Sequence, residues 1–241
     1  DTLTAAGLVP THAVPAPVRP ARLHVAAYRR HLQTPTLGVV GFAAEFSYLK
    51  GADALPGLIA ACAPEFAFRI AGRGPLGGRI RSSVNAFDSA RRSRVALTDR
   101  VPPAQMDEFF GAVDAVLVLS RTESQCRLAI EAMFAGVVVL ARPVEAVRDL
   151  VDDGRTGFYI DPEDPCAVGH LLRRLRSDPA LVYEVRRQAR ELAYRVAMDS
   201  ERAWPSLICD LLGISVLPSM RGGAPLLGQP AQLVDLPASR K

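Results

Sequence analysis

Glu123 and Glu131 stand eight positions apart in the stretch RTESQCRLAIEAMFAG, residues 121–136. A strand-like run precedes this stretch and a helical pattern follows. Ser124 is predicted as the N-cap of a helix running from about Gln125 to Ala135. Unpaired N–H groups and the dipole at such a helix start suit a phosphate. Glu123 falls just before that start, at the edge where a ligand would lie. Glu131 falls two turns in, where Leu128, Ala129, Ala132 and Met133 make the helix apolar over much of its circumference. A carboxylate there needs a partner; ligand hydroxyls would serve, and so would a nearby arginine. Residue chemistry alone leaves a ligand pair and a structural ion pair both open. A second candidate is Gly72-Arg73-Gly74-Pro75. Its glycines would let backbone approach a ligand, but it is not the dinucleotide pattern GxGxxG, and a plain turn explains it equally well.

These residues need a scaffold, and the flanking sequence supplies one. Short apolar runs at 36–42, 66–72, 94–99, 114–120 and 136–141, with a shorter one at 156–160, read as strands. The stretches between them carry helical spacing, as with Leu55, Leu58, Ile59 and Cys62, or Phe109, Phe110 and Val113. Strands alternating with helices predict an α/β fold, a doubly wound Rossmann-like parallel sheet whose ligands lie at the carboxyl ends of the strands. Asp164-Pro165 and Asp178-Pro179 each predict a capped helix start, the second helix running to about Ala193, and a separate third helix is expected from about Ser200 to Leu212. The expected organisation is a Pro- and Ala-rich connecting segment over 1–35, a Rossmann-like α/β domain over 36–195, and a C-terminal helix with irregular tail over 196–241.

Composition narrows the function. The 241 residues are 49% hydrophobic with a net charge of +4, enough for a sizeable core. At 6% aromatic, with arginines scattered rather than striped, the chain does not read as a nucleic-acid binder. Cys62, Cys126, Cys166 and Cys209 show neither CxxC spacing nor a histidine partner, so no zinc or disulfide framework is expected and a reducing compartment fits. No apolar run is long enough to span a membrane. The opening DTLTAAGLVP does not read as a signal peptide, and a start without Met suggests a chain cut from something larger. A cytoplasmic location is expected.

Residues 37–194 resemble the C-terminal domain of GT-B fold retaining glycosyltransferases, in particular the large family of bacterial mannosyl-, glucosyl- and N-acetylglucosaminyltransferases. That family carries Glu-x7-Glu, commonly E-[GS]-F-G-[LR]-x-x-x-E-A-M-A-x-G; here the stretch is ESQCRLAIEAMFAG. AGRGPL, LVDDGRTGFYIDPEDPCAV, SDPALVYEVRRQAR and the Lys-Gly of FSYLKG match further family segments in order. The resemblance implies one C-terminal half of a GT-B fold, binding a nucleoside-diphosphate sugar and transferring a hexose with retention to an unknown acceptor. Glu123 would accept from donor-sugar hydroxyls and Glu131 from the ribose. The diphosphate would lie at the helix start near Ser124, Gln125, Cys126 and Arg127, and Lys50 would neutralise charge on the leaving group, with no metal and no other cofactor. The base would rest near Gly72, Arg73, Arg100 and Val101. The acceptor-binding N-terminal domain would be the missing partner, through which peripheral membrane contact could arise.

Three departures from the family pattern stand out. Phe42 occupies the place of an arginine, Gln125-Cys126 replaces Phe-Gly and so adds a Cβ where backbone would meet the donor, and RPVEAVRDLV (142–151) lacks a glycine pair and has Asp149 in place of Glu. They motivate an alternative, a degenerate GT-B domain acting as a non-catalytic binding or assembly module. A sugar-nucleotide epimerase would need acid/base residues, and His12, His24, His31 and His170 do not fall at strand ends. His170 is expected to be packed or solvent-facing, the arginines of RRQAR (186–190) to be a solvated helical face, and Trp204 to dock the last helix.

Overall fold

The computed structural model describes residues 25–33 and 36–212. Two compact units divide the chain, one over Leu23–Arg195 and one combining the two ends; of the latter, residues 196–212 are described, as helix.

The first unit is built on six strands: β1 Val39–Ala43, β2 Ala67–Ala71, β3 Val95–Thr98, β4 Ala115–Val118, β5 Val138–Ala141 and β6 Phe158–Tyr159. They form one sheet in the order β3-β2-β1-β4-β5-β6. Every pairing is parallel, for example Val40 with Phe68 on one side and Val40 with Ala115 on the other. Every residue of β4 (AVLV) and β5 (VVLA) is buried. Strands covered on both faces have no polar side to alternate with, which is why these runs are continuously apolar. The chain winds outward from β1 through β2 to β3, then returns to the other side of β1 as β4. The crevice between the carboxyl ends of β1 and β4 is therefore the switch point of a doubly wound sheet.

Helices cover both faces. They are α1 Val25–Gln33, α2 Leu55–Cys62, α3 Gly77–Asn85, α4 Ser89–Arg92, α5 Met106–Gly111, α6 Arg127–Ala135, α7 Glu145–Arg148, α8 Pro165–Ser177 and α9 Pro179–Leu212. The two Asp-Pro starts behave as expected: the Asp164 carboxylate accepts from Ala167 N at 3.0 Å and Asp178 from Leu181 N at 3.0 Å. Helix α2 packs against α8, while α1 packs against α5 and α6.

Four expectations need correction. The stretch read as a connecting segment contains α1, which buries Ala27 and His31 four residues apart on one face. The separate third helix is absent: α9 runs unbroken from Pro179 to Leu212, since no Gly or Pro interrupts the chain between Ala193 and Ser200. The arginines of 186–190 are not all solvated. Arg186 is 1% exposed and Arg190 is also buried, because both fall on the stripe of Val182, Val185, Ala189 and Ala193. Arg186 donates to the carbonyls of His31 at 3.0 Å and Asp114 at 3.4 Å, and Arg190 lies over the Tyr28 ring at 3.8 Å. The fourth correction concerns the start of α6 and is given below. His170 is exposed, as one of its two expected placements had it. His12, His24 and the residues from Gly213 onward lie outside the described residues, as do the side chains of Trp204 and Cys209.

Candidate functional site

Each sequence-predicted site residue lies at or after the carboxyl end of a strand, or on the helix that follows β4. Lys50 follows β1, Gly72 and Arg73 follow β2, Arg100 and Val101 follow β3, and Glu123 to Cys126 link β4 to α6, which carries Arg127 and Glu131. One pair is in direct contact across the switch point. Lys50 Nζ donates to Glu123 Oε1 at 2.6 Å, and Ser120 Oγ donates to the same oxygen at 2.7 Å. Among the described residues Oε2 of Glu123 receives no protein donor, and the side chain keeps 17% of its surface exposed. One oxygen is thus fixed by the protein while the other can accept from a ligand hydroxyl.

Glycine geometry brings the two loops together. Gly51, directly after Lys50, has φ +67°, and a Cβ there would stand 2.1 Å from the carbonyl oxygen of Leu119. Only glycine permits both that left-handed conformation and that approach. The Gly72-Arg73-Gly74 pair has the same use, within the protein rather than toward a ligand. A Cβ on Gly72 would stand 2.1 Å from Ala44 O, and Phe46 N donates to Arg73 O at 2.9 Å. The Arg73 side chain turns to Asp99, at 2.8 Å, with Arg81 at 3.4 Å on the other carboxylate oxygen. The hydrogen bond from Arg73, aided by its charge, holds the Asp99 carboxyl below its ordinary range. Arg100 is exposed beside it, and Val101 is partly buried.

Helix α6 starts two residues later than expected. It begins at Arg127 rather than Gln125, and the N-cap position belongs to Cys126 with no side-chain cap; Ser124 is exposed and caps nothing. Cys126 is in the left-handed region, φ 40° and ψ 54°, the only positive-φ non-glycine residue among those described. A non-glycine residue there costs about 1 kcal/mol. The left-handed residue at 126 stands directly before Arg127, so Ser124 lies three residues ahead of the first helical residue and outside the N-cap position. The leading N–H groups of α6 remain without an intrahelical partner, as at any helix start. Cys126 itself is 3% exposed, so its side chain is directed into the protein, and burial pushes the thiol up to about 11. Glu131 is partly buried on α6, with Arg127 Nη2 3.6 Å from Oε1 and itself 68% exposed. That contact is too long for a hydrogen bond and weak as an exposed ion pair.

Several residues of the site were not expected from sequence. Ser120 closes on Glu123 from the end of the β4 run. Arg121, Asp53, Arg142 and Glu163 form ion pairs across the same edge, with Arg121 forked onto Asp53 at 2.7 and 2.9 Å. Single arginines among 29 Lys and Arg residues carry no sequence signal. Phe42 is buried in β1 and supplies no cation. No cluster of His, Cys, Asp and Glu placed to hold a metal occurs among the described residues, and no described helix is long and apolar enough to cross a membrane.

Residues 35–178 match the family model described as glycosyl transferases group 1. A D-inositol 3-phosphate glycosyltransferase of Acidothermus cellulolyticus is 32% identical over 202 residues, which cover 77% of this chain and 42% of that one. The fold is shared with the Anabaena HepE crystal structure in complex with UDP-glucose, at TM-score 0.63 and 20% identity over 78% of this chain and 53% of that chain. It is shared also with the C-terminal domain of a glycosyl transferase group 1 family protein, LpcC, from Francisella tularensis. There the TM-score is 0.56 at 18% identity, and 76% of this chain covers 95% of the other. The chain spans less than half the length of the curated relatives it matches.

Proposed function

The chain belongs to the glycosyl transferases group 1, and from that premise we propose that it is the donor-binding half of a retaining glycosyltransferase, taking a nucleoside-diphosphate hexose. The observation that carries this is Glu123, with one carboxylate oxygen held by Lys50 and Ser120 and the other open to a ligand. A polyol's hydroxyls donate to that open oxygen, which orients the sugar. Lys50, 34% exposed at its side chain, is a cation beside it for the diphosphate, and the first N–H groups of α6 favour the same anion. Glu131, partly buried on α6, takes the ribose hydroxyls. Gly72, Arg73, Arg100 and Val101 border the base.

In the transfer, the bond between the donor's anomeric carbon and the diphosphate oxygen breaks. The acceptor oxygen bonds to the same face of that carbon, and the acceptor's proton passes to the departing phosphate. Charge grows on that phosphate as the bond breaks, and Lys50 stabilises it there. No metal is required by this residue set. The relatives' greater length supports an acceptor domain elsewhere in the protein, and a cytoplasmic setting follows from use of a nucleotide donor.

The burial of Cys126 favours a working pocket: its Cβ is the feature expected to obstruct the donor, yet its side chain faces inward. Phe42 favours the second reading, a non-catalytic module, since it leaves Lys50 without a companion cation from β1. Calorimetric titration with UDP, GDP and their hexose derivatives tests the proposal. Binding that weakens at least tenfold in both Glu123→Gln and Glu131→Ala is expected, about the worth of a hydrogen bond to a charged group. No binding by any of these ligands, or unchanged binding in both variants, sinks it. Turnover by a chain that includes the acceptor domain separates enzyme from module.

A further inference from the structure

Lys50 and Glu123 sit on loops that the sequence separates by 73 residues, so something must hold their separation. Both neighbours of Lys50 are tied to the loop after β4. On one side Leu49 O accepts from Arg121 N at 2.9 Å; on the other Gly51 closes on Leu119 O. The Arg121 side chain repeats the tie. Its Nη1 donates to Tyr48 O at 2.7 Å and to Asp53 Oδ1 at 2.7 Å, and its Nη2 to Asp53 Oδ2 at 2.9 Å. The guanidinium also lies over the Tyr48 ring at 3.7 Å. The belt continues past Arg121: Nη2 reaches Glu163 at 3.3 Å, and Glu163 accepts from Arg142 at 2.8 Å. Arg142 in turn donates through Nε to Leu119 O at 3.2 Å. Loops after β1, β4, β5 and β6 are thereby joined by one chain of charge-assisted bonds. Arg121 and Asp53 are each about one-fifth exposed, so solvent screens their fork less than a surface pair.

We infer that Arg121, through its fork onto Asp53 and its bond to Tyr48 O, is the positioning residue that fixes Lys50 against Glu123 and so sets recognition of the diphosphate, as distinct from the nucleoside. The inference rests on the donor-site reading above. The geometry carries it because the donors of Arg121 grip Lys50's loop at residues 48, 49 and 53, on both sides of the lysine. Removing the fork frees Lys50 to move while leaving the residues that border the base untouched. Glycine-enforced contact at Gly51 alone fixes one point of that loop, which leaves its rotation open; Arg121 supplies the further points.

The test compares UDP with uridine, and GDP with guanosine, by titration calorimetry on the wild-type chain, Arg121→Met and Asp53→Asn, with thermal melting alongside. Wild type is expected to prefer the diphosphate. Both variants should lose about tenfold of that preference while keeping nucleoside affinity, the size of one charge-assisted bond. Arg121→Lys should recover little, since a single ammonium cannot fork onto a carboxylate and reach Tyr48 O together. Should Arg121→Met fail to fold, Asp53→Asn carries the comparison, because it keeps the arginine and removes the negative charge and one of the two acceptor oxygens of the fork. A preference unchanged in the variants, or diphosphate and nucleoside weakened in equal proportion, overturns the positioning role while the donor site stands. Absence of any nucleotide binding in wild type overturns both.

Discussion

Lys50 Nζ and Ser120 Oγ meet on a single oxygen of Glu123, at 2.6 and 2.7 Å, and its partner oxygen receives no donor among the described residues. The ion pair joins a loop from one half of the doubly wound sheet to a loop from the other. Close backbone approach beside this pair, a left-handed residue before α6 and buried polar groups elsewhere in the domain can each be tested separately.

Gly51 sets the approach. Alanine there must adopt φ +67° and place its Cβ 2.1 Å from Leu119 O, for an expected loss of about 3 kcal/mol. Gly78, in the first turn of α3, has nothing within 4 Å of such a Cβ, so Gly78→Ala should be neutral or stabilising by up to about 1 kcal/mol. Urea denaturation of both variants checks the contrast; equal effects would remove the argument from close approach.

Cys126 holds the left-handed turn before α6 without being glycine. Cys126→Gly relieves the conformation and loses a buried side chain, whereas Cys126→Ala loses much of the side chain and keeps the conformation. The glycine variant should therefore exceed the alanine variant by about 1 kcal/mol in unfolding free energy. An alanine variant at least as stable as the glycine one would mean that φ 40° carries no strain.

His31 gives the fold an acid-sensitive point. Burial pushes its imidazole below the ordinary 6.5, with Arg186 acting the same way and the Phe110 carbonyl and Asp114 opposing. Nε2 lies 2.9 Å from Phe110 O, consistent with a neutral ring that donates there. Below about pH 6.5 the unfolded chain takes up a proton that the folded chain resists, so this contribution is present above that pH and lost as pH falls below it. Melting temperature should drop between pH 7.5 and 5, and His31→Gln, which can still donate to Phe110 O, should flatten the slope. An equal slope in the variant would assign the acid sensitivity elsewhere.

Arg186 is a buried cation whose burial lowers its ordinary value to about 10. Arg186→Leu strips donors from the His31 and Asp114 carbonyls and removes a charge facing Asp114, for an expected loss of about 3 kcal/mol by denaturant unfolding. A loss under 1 kcal/mol would show that the hydrophobic replacement offsets the broken bonds.

What sequence revealed and what it hid follow from range. Val116, Leu117, Val139 and Leu140 announce buried parallel strands because their apolar neighbours are adjacent in the chain. The Asp164 and Asp178 caps are legible for the same reason, since an N-cap acts within three residues. Arg186 and Arg190 were misread because hydrophilicity was weighed ahead of register; their four-residue spacing in step with Val182 and Ala189 is the signal that places them inside. The start of α6 was misjudged because Ser124 has a capping side chain, while the reversal at Cys126 depends on how the Glu123 loop leaves β4. Glu123 is a candidate from its place before a predicted helix start, Lys50 only through family resemblance, and Arg121 not at all, since its partners at 48, 53 and 163 are brought near only by the sheet order.

That sheet order also has a kinetic consequence. β1 and β4 are neighbours in space but lie more than 70 residues apart in the chain, with β2 and β3 made in between. The first half of the sheet can assemble from shorter-range pairings, whereas Lys50 finds Glu123 only after the longer loop has closed. The proposed nucleotide binding should accordingly be among the last properties acquired during refolding. A ligand that captures this late contact would slow its reopening and protect β4 and the start of α6 from hydrogen exchange before it protects β2 and β3.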